Sequence, residues 1–310
     1  MKVLSLFDGI SCGRVAIGDC EYYACEIDKY AIQISKKNFP DITHLGDVRN
    51  IGVITNLDLL IGGSPCQDLS IAKKGRKGLD GERSGLFWEY VRILKESKPK
   101  YFVLENVNSM PKEAKAIITK ELGVEPVMIN ASLVSAQSRK RLFWTNIPMN
   151  GLPEDRGILL KDILENVTIS EEPAGRIKAL EKSGGQAHRV YSSNGKSATL
   201  SSGGAGLIKI GRDIGRRLDE SGTRKDDDKS IAITRRIETR EDGKCGTLTS
   251  VTKDNLVVGE GIRKLTPIEC ERLQGLPDDY TLGISNTQRY KCLGNAFNVD
   301  VIRFILKNVS

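Results

Sequence analysis

VLSLFDGISCGRVA, residues 3–16, opens the chain with an apolar run, a turn holding Gly9, and a helical start at about Gly13. A strand that runs through a glycine-containing turn into a helix brings backbone N–H groups up to a bound nucleotide-like ligand. Short apolar runs and helical patterns alternate from there to residue 147. The runs at 3–7, 22–26, 57–61, 101–105, 127–133 and 142–146 predict strands, and 30–39, 86–97 and 112–122 predict helices. This alternation implies an α/β fold, a largely parallel sheet with helices on both faces. Tyr101-Phe102-Val103-Leu104 has no polar alternation, as suits a central strand buried on both sides. In such a sheet ligands gather at the carboxyl ends of the strands, where Asp8, Glu26, Ser64, Pro65, Cys66, Glu105 and Asn106 fall.

The 310 residues suffice for a catalytic core and a smaller partner domain. No apolar run reaches membrane-spanning length, and Met1-Lys2 leads directly into the first strand, so a cytoplasmic protein is expected. Seven irregularly spaced cysteines do not form a disulfide framework. With no CxxC and only His44 and His188, neither a metal site nor histidine-based acid–base chemistry is expected. The net charge of +7 is compatible with a polyanionic partner and does not establish one.

From about residue 150 the composition shifts to Gly, Ser, Lys and Arg, with a charged run at 224–229. GKSATLSS at 195–202 recurs as GKCGTLTS at 243–250. Two similar β-hairpins, or chance similarity among small residues, account for the repeat equally well. Helical patterning returns at 266–275, where Thr266 and Glu269 have capping-box spacing around Pro267, and again at 297–306.

Four local features bear chemistry. The first turn lacks a phosphate-binding GxGxxG, and Glu26 follows it at the distance of a ribose-binding carboxylate, which favours a ligand without phosphates. In GGSPCQDLS, 62–70, a thiol on a glycine-flanked loop has the makings of a nucleophile, although an isolated buried cysteine would read the same way. ENV, 105–107, puts a carboxyl group after the buried strand, where it can donate to a ring nitrogen if kept protonated. In QSRKR, 137–141, Arg139 and Arg141 project to one side if the segment is extended.

In this order the pieces resemble the DNA (cytosine-5) methyltransferase family. FDGISCG is similar to its first motif, CEID (25–28) to its second, GDV (46–48) to its third, GGSPCQDLS to its fourth, ENV to its sixth and QSRKR to its eighth. RKLTPIECERLQGLPDDY (263–280) and RYKCLGNAFNVDVI (289–302) resemble the ninth and tenth. Two stretches depart from the pattern: FDGISCG stands where many bacterial members have FxGxGG, and GNAFNVDV replaces GNS followed by apolar residues.

The resemblance implies a Rossmann-like methyltransferase fold that binds S-adenosyl-L-methionine, with a smaller, mainly β target-recognition domain. Residues 1–148 plus 286–310 would be catalytic and 149–285 would read the target. Cys66 would be the nucleophile, Glu105 would act at N3 of the base, and Arg139 and Arg141 would contact base, phosphate or catalytic loop. Phe7, Asp8, Gly9, Gly13, Glu26, Ile27, Asp47, Val48, Pro65 and Asn295 would form the cofactor site. Double-stranded DNA would be the partner of a monomeric enzyme. Ser70, Lys73, Lys74 and Arg76 would meet DNA from a closing loop, and Thr199 or Thr247 from the recognition domain. The family's tRNA-methylating branch shares PCQ and ENV but has a shorter insert, so the long Gly/Ser/Arg-rich insert favours DNA.

Overall fold

β1 (Lys2–Leu6) is the inner strand of a seven-stranded sheet. Its neighbours are β2 (Glu21–Cys25) on one side and β4 (Leu59–Gly63) on the other, both parallel to it. β3 (Thr43–His44) extends the parallel run beyond β2, and β5 (Tyr101–Val107) extends it beyond β4. β7 (Lys140–Thr145) then runs antiparallel between β5 and β6 (Val127–Asn130), giving the order β3-β2-β1-β4-β5-β7-β6. The parallel half has Rossmann order, and the chain reverses between β1 and β4, the switch point where such sheets bind ligands. This computed structural model describes residues 1–65, 84–165, 209–219, 221–240, 242, 244–248, 256–258 and 262–309. Cys66, Ser70, Lys73, Lys74, Arg76, Thr199 and the first copy of the repeat lie outside the described residues.

Successive strand side chains point to opposite faces. Leu4, Leu6, Leu60, Phe102 and Leu104 meet α3 (Phe87–Ser97) and α4 (Lys112–Leu122) on one face. Val3, Leu59, Ile61 and Val103 belong to the core of the other face, with α2 (Lys29–Asn38), α5 (Pro267–Leu273), α6 (Asn286–Asn295) and α7 (Val299–Leu306). The short α1 (Cys12–Ile17) leaves the first turn and packs along α7. α5 begins with the expected capping box: Thr266 accepts from the Glu269 N–H, and Glu269 accepts from the Thr266 N–H at 2.8 Å.

The expected sheet needs one correction. The strand predicted over 127–133 stops at Asn130, whose Oδ1 accepts from the Ser132 and Arg139 N–H groups and turns the chain into a 3-10 turn. The segment Arg139 belongs to then returns antiparallel as β7.

Residues 265–285, assigned from the sequence to the recognition domain, contact the main core. Leu265, Cys270, Leu273, Leu276 and Tyr280 are buried in the core that α6 and α7 share with the sheet. The Tyr280 hydroxyl donates to the Ile10 carbonyl at 2.6 Å, and the Val299 N–H donates to the Gln274 carbonyl at 2.9 Å. Residues 265–285 therefore pack with the larger unit. A second, four-stranded antiparallel sheet, β11-β10-β8-β9, is made of β8 (Lys209–Arg217), β9 (Ile233–Arg240), β10 (Leu256–Val258) and β11 (Ile262–Lys264), with Val257 of β10 buried in the same core. Among the described residues of the second copy, Cys245 forms an isolated parallel bridge with Gln137, tying this stretch to the segment before β7.

Candidate active site

The turn after β1 is held in an unusual backbone conformation, with positive φ at Phe7 (58°), Gly9 (61°) and Ser11 (62°). Such angles are costly for a bulky residue like Phe7, so surrounding bonds must hold them. The Asp8 N–H donates to the Cys25 carbonyl at 3.0 Å and the Gly9 N–H to Glu26 Oε2 at 2.8 Å, pinning the turn to the end of β2. The Asp8 side chain turns inward, accepting from the Tyr22 hydroxyl at 2.7 Å and the Ser11 hydroxyl at 2.5 Å. Ser11 in turn bonds Ser35, and Ser35 bonds His44 Nε2. Burial pushes the Asp8 carboxyl up to about 6.

Glu26 closes this end of the site. Besides Gly9, its carboxylate accepts from the Ile27 and Asp28 N–H groups, each at 2.8 Å. A carboxylate has about four lone-pair positions, so three bonds leave it able to accept one more, from a ligand hydroxyl. Nearby, Asp28 caps α2 and pairs with Lys291 of α6 at 2.6 Å. Burial alone would raise the Asp28 carboxyl, but Lys291 and the two helix N–H groups hold it below its ordinary value. The Arg49 hydrogen bond holds Asp47 down at about 2.

The other end of the site lies where β4 and β5 finish side by side, with Gly63 paired to Glu105. Asn106 is 1% exposed and donates to the Ser64 hydroxyl at 3.0 Å, fixing the start of the Ser64-Pro65 segment. Glu105 is ion-paired with Arg141 Nε at 2.7 Å, and both side chains are largely buried. Arg139, 4% exposed, donates to the carbonyls of Leu248, Gly294 and Ala296. It thereby clamps the 245–248 stretch and the end of α6 to β7.

One cavity of about 290 Å³ joins these two ends at the carboxyl edge of the sheet. Phe7, Gly9, Glu26, Ile27, Asp47, Val48, Pro65, Glu105, Arg139, Arg141 and Asn295, all singled out from the sequence, line it. Asp8 and Gly13 do not line this cavity. The Asp8 side chain lies behind the wall, bound to Tyr22 and Ser11, where it shapes the turn. Gly13 is needed for packing, since a Cβ there would come 2.7 Å from the Tyr22 hydroxyl. Thr247 lies at the Arg139 segment, its hydroxyl donating to the Ser138 carbonyl at 3.0 Å. Sequence reasoning missed the Asp28–Lys291 pair, which joins positions 263 residues apart, and the Asn106–Ser64 bond. Asp28 was visible only as the last residue of CEID (25–28), and Asn106 as a strand-end residue in the middle of ENV.

The residues present suit a ligand with a nucleoside end and no phosphates. The Gly9 N–H, which a phosphate would need, is already given to Glu26. Glu26, Asp28 and Asp47 line that end, so a pyrophosphate would meet carboxylates there, whereas a cationic group would be favoured. Ile27 is 70% exposed beside Phe7, leaving apolar surface for a flat ring to cover.

Comparison with known proteins agrees with this geometry. The whole chain, residues 1–310, matches the profile of the C-5 cytosine-specific DNA methylases. It is 27% identical to the orphan methyltransferase M.SPRI of Bacillus phage SPR, covering 100% of this chain and 97% of that protein. It is 25% identical to the type II methyltransferase M.HhaI of Haemophilus parahaemolyticus, covering 100% and 94%. Among solved structures, the fold resembles the Entamoeba histolytica methyltransferase EhMeth, with a TM-score of 0.64 at 16% identity over 100% and 99% of the two chains. It also resembles the S. pombe Dnmt2 methyltransferase, with a TM-score of 0.59 at 16% identity over 99% and 98%. With a profile match from end to end and a cavity lined by the motif residues, this chain belongs to the C-5 cytosine-specific DNA methylase family.

Proposed function

We propose that the protein methylates C5 of a cytosine flipped out of a specific double-stranded DNA sequence, using S-adenosyl-L-methionine and a covalent adduct at Cys66. The observation that carries this reading is the cavity in which the Glu26 end meets the Glu105–Arg141 pair, with Pro65 on its wall. Cys66 is the next residue in the sequence after Pro65, and in this reading its thiol serves that wall. Phe7 and Ile27 would cover the adenine, Glu26 would accept from a ribose hydroxyl, and Asp47 and Asn295 would contact the rest of the cofactor. When bound, S-adenosyl-L-methionine supplies an electrophilic methyl group.

The protein's part begins with access. A stacked base cannot present C6 to a thiol, so the cytosine must leave the duplex, at a cost of a few kcal/mol. The Cys66 thiolate adds to C6, and the ring electrons this displaces make C5 nucleophilic. Glu105 acts at N3, where charge gathers, and Arg141 orients the Glu105 carboxyl group. Arg139 holds the end of α6 against β7 and so keeps Asn295 in the cavity wall. After methyl transfer the C5 proton is lost to water, its bonding pair restores the C5–C6 double bond, and the sulfur leaves C6 as thiolate. The domain reading is narrowed to β8–β11 and the insert that precedes them as the element facing the target, with Thr247 tying it to the catalytic unit. Ser70, Lys73, Lys74 and Arg76 are proposed to contact phosphates from the loop after Cys66.

Incubation with tritiated S-adenosyl-L-methionine and either duplex DNA or tRNA tests the substrate. Label in DNA, lost in Cys66→Ala, is the expected result. Label confined to tRNA would overturn the DNA assignment.

A further inference from the structure

Phe297 follows Gly294-Asn295-Ala296 of the tenth motif, and its ring reaches the end of the site where Glu105 lies. Gly63 has no positive φ, so its backbone does not require glycine; the space above it does. A Cβ built on Gly63 would lie 2.8 Å from Phe297 Cε1 and 3.1 Å from Glu105 Oε2. Ring and carboxylate therefore occupy the same niche, one that exists because position 63 has no side chain. Phe297 is 9% exposed and lines a small cavity with Glu105, Arg139 and Arg141. Its backbone is fixed on both sides. The preceding Ala296 carbonyl accepts from Arg139 at 2.9 Å, and the following Asn298 caps α7 while donating to the Leu273 carbonyl at 3.0 Å.

We propose that Phe297 is a positioning residue for Glu105: its ring, seated on Gly63, fills the floor beneath the carboxylate and holds it up against Arg141 and toward the base pocket. This rests on the reading of Glu105 given above. A floor of this kind acts on the chemical step, because the carboxylate it steadies meets the base, while the Glu26 end is built from other residues. Truncating the ring opens room into which Glu105 can sink away from Arg141. Misplacement of a reacting group by about 1 Å can cost on the order of a hundredfold in rate.

The test is a volume series, Phe297→Leu, Phe297→Val and Phe297→Ala, with Gly63→Ala and the Gly63→Ala/Phe297→Ala double variant. Single-turnover methyl transfer is followed from tritiated S-adenosyl-L-methionine to unmethylated bacterial genomic DNA, with enzyme in excess, alongside cofactor affinity and the thermal midpoint. The rate is expected to fall in the order Phe, Leu, Val, Ala, reaching roughly 10–100-fold for Ala, with cofactor affinity within about threefold of wild type. Gly63→Ala should be similarly slow, and the double variant faster than the product of the two single effects, because an added methyl and a removed ring compete for one space. Equal rates across the series, or rate and cofactor affinity falling in parallel, would overturn the proposal. If Phe297→Ala fails to fold, the ordering of Phe, Leu and Val decides by the same criteria. Failure of the underlying reading looks different: the wild-type protein would transfer no methyl group to DNA.

Discussion

The Asp8 side chain faces the inside of the first turn, where it bonds Tyr22 and Ser11. Its folded pKa, about 6, lies above the ordinary 3.8 because burial opposes the charge. The native state therefore holds the proton more tightly than the unfolded chain, so this group's contribution to stability is full below pH 4 and is lost as pH rises through 6. Asp8→Asn stays neutral throughout and can donate to Ser11 as protonated Asp8 would. The stability of Asp8→Asn relative to wild type, from urea unfolding, should rise between pH 4 and 7 by up to about 3 kcal/mol. A constant difference would show that Asp8 does not titrate in that window. Glu26 should behave differently, since three N–H donors converge on its carboxylate. Glu26→Gln turns an NH2 toward at least one of them, and calorimetry should show cofactor affinity reduced roughly 10–100-fold. At this scale the sequence was informative where type and spacing are distinctive, as with Glu26, Glu105 and Arg141. It could not tell that Asp8 faces inward, because that depends on Tyr22 and Ser35 being brought behind the turn by β2 and α2.

At the scale of elements, periodicity located β1, β2, β4, β5, α3 and α4 to within about two residues because each has a buried stripe that only one period explains. The antiparallel β7 was not legible, since strand direction is set by connections and not by local pattern. The packing of 265–285 was hidden for a related reason: its texture is polar enough to resemble an insert, yet its few apolar residues fill the main core. α5 is a case where local signals sufficed. Thr266→Ala removes its cap and should cost about 1 kcal/mol in urea unfolding. Arg139 joins elements that no local rule connects, through carbonyls of Leu248, Gly294 and Ala296. Arg139→Lys cannot span all three, and a loss of about 2 kcal/mol of stability is expected. Unchanged unfolding would mean the clamp contributes nothing.

For the whole molecule, the seven-stranded sheet presents one carboxyl edge, and the cavity along it runs from the Glu26 end, where the second and last motifs meet through Asp28 and Lys291, to the Glu105–Arg141 pair. A net charge of +7 should make DNA binding salt-dependent, with affinity falling by about an order of magnitude or more between 50 and 200 mM salt if several phosphates are contacted. Fluorescence anisotropy with a labelled duplex would measure this. The account as a whole depends on sulfur chemistry beside Pro65. Duplex DNA carrying 5-fluorocytosine at a methylated site, incubated with the protein and S-adenosyl-L-methionine, should yield a denaturation-resistant adduct, because fluorine at C5 blocks the loss that releases the thiol. Mass spectrometry of the digested adduct should place the nucleotide on Cys66. An enzyme that methylates the ordinary duplex while forming no such adduct, or one joined through another residue, would contradict the account.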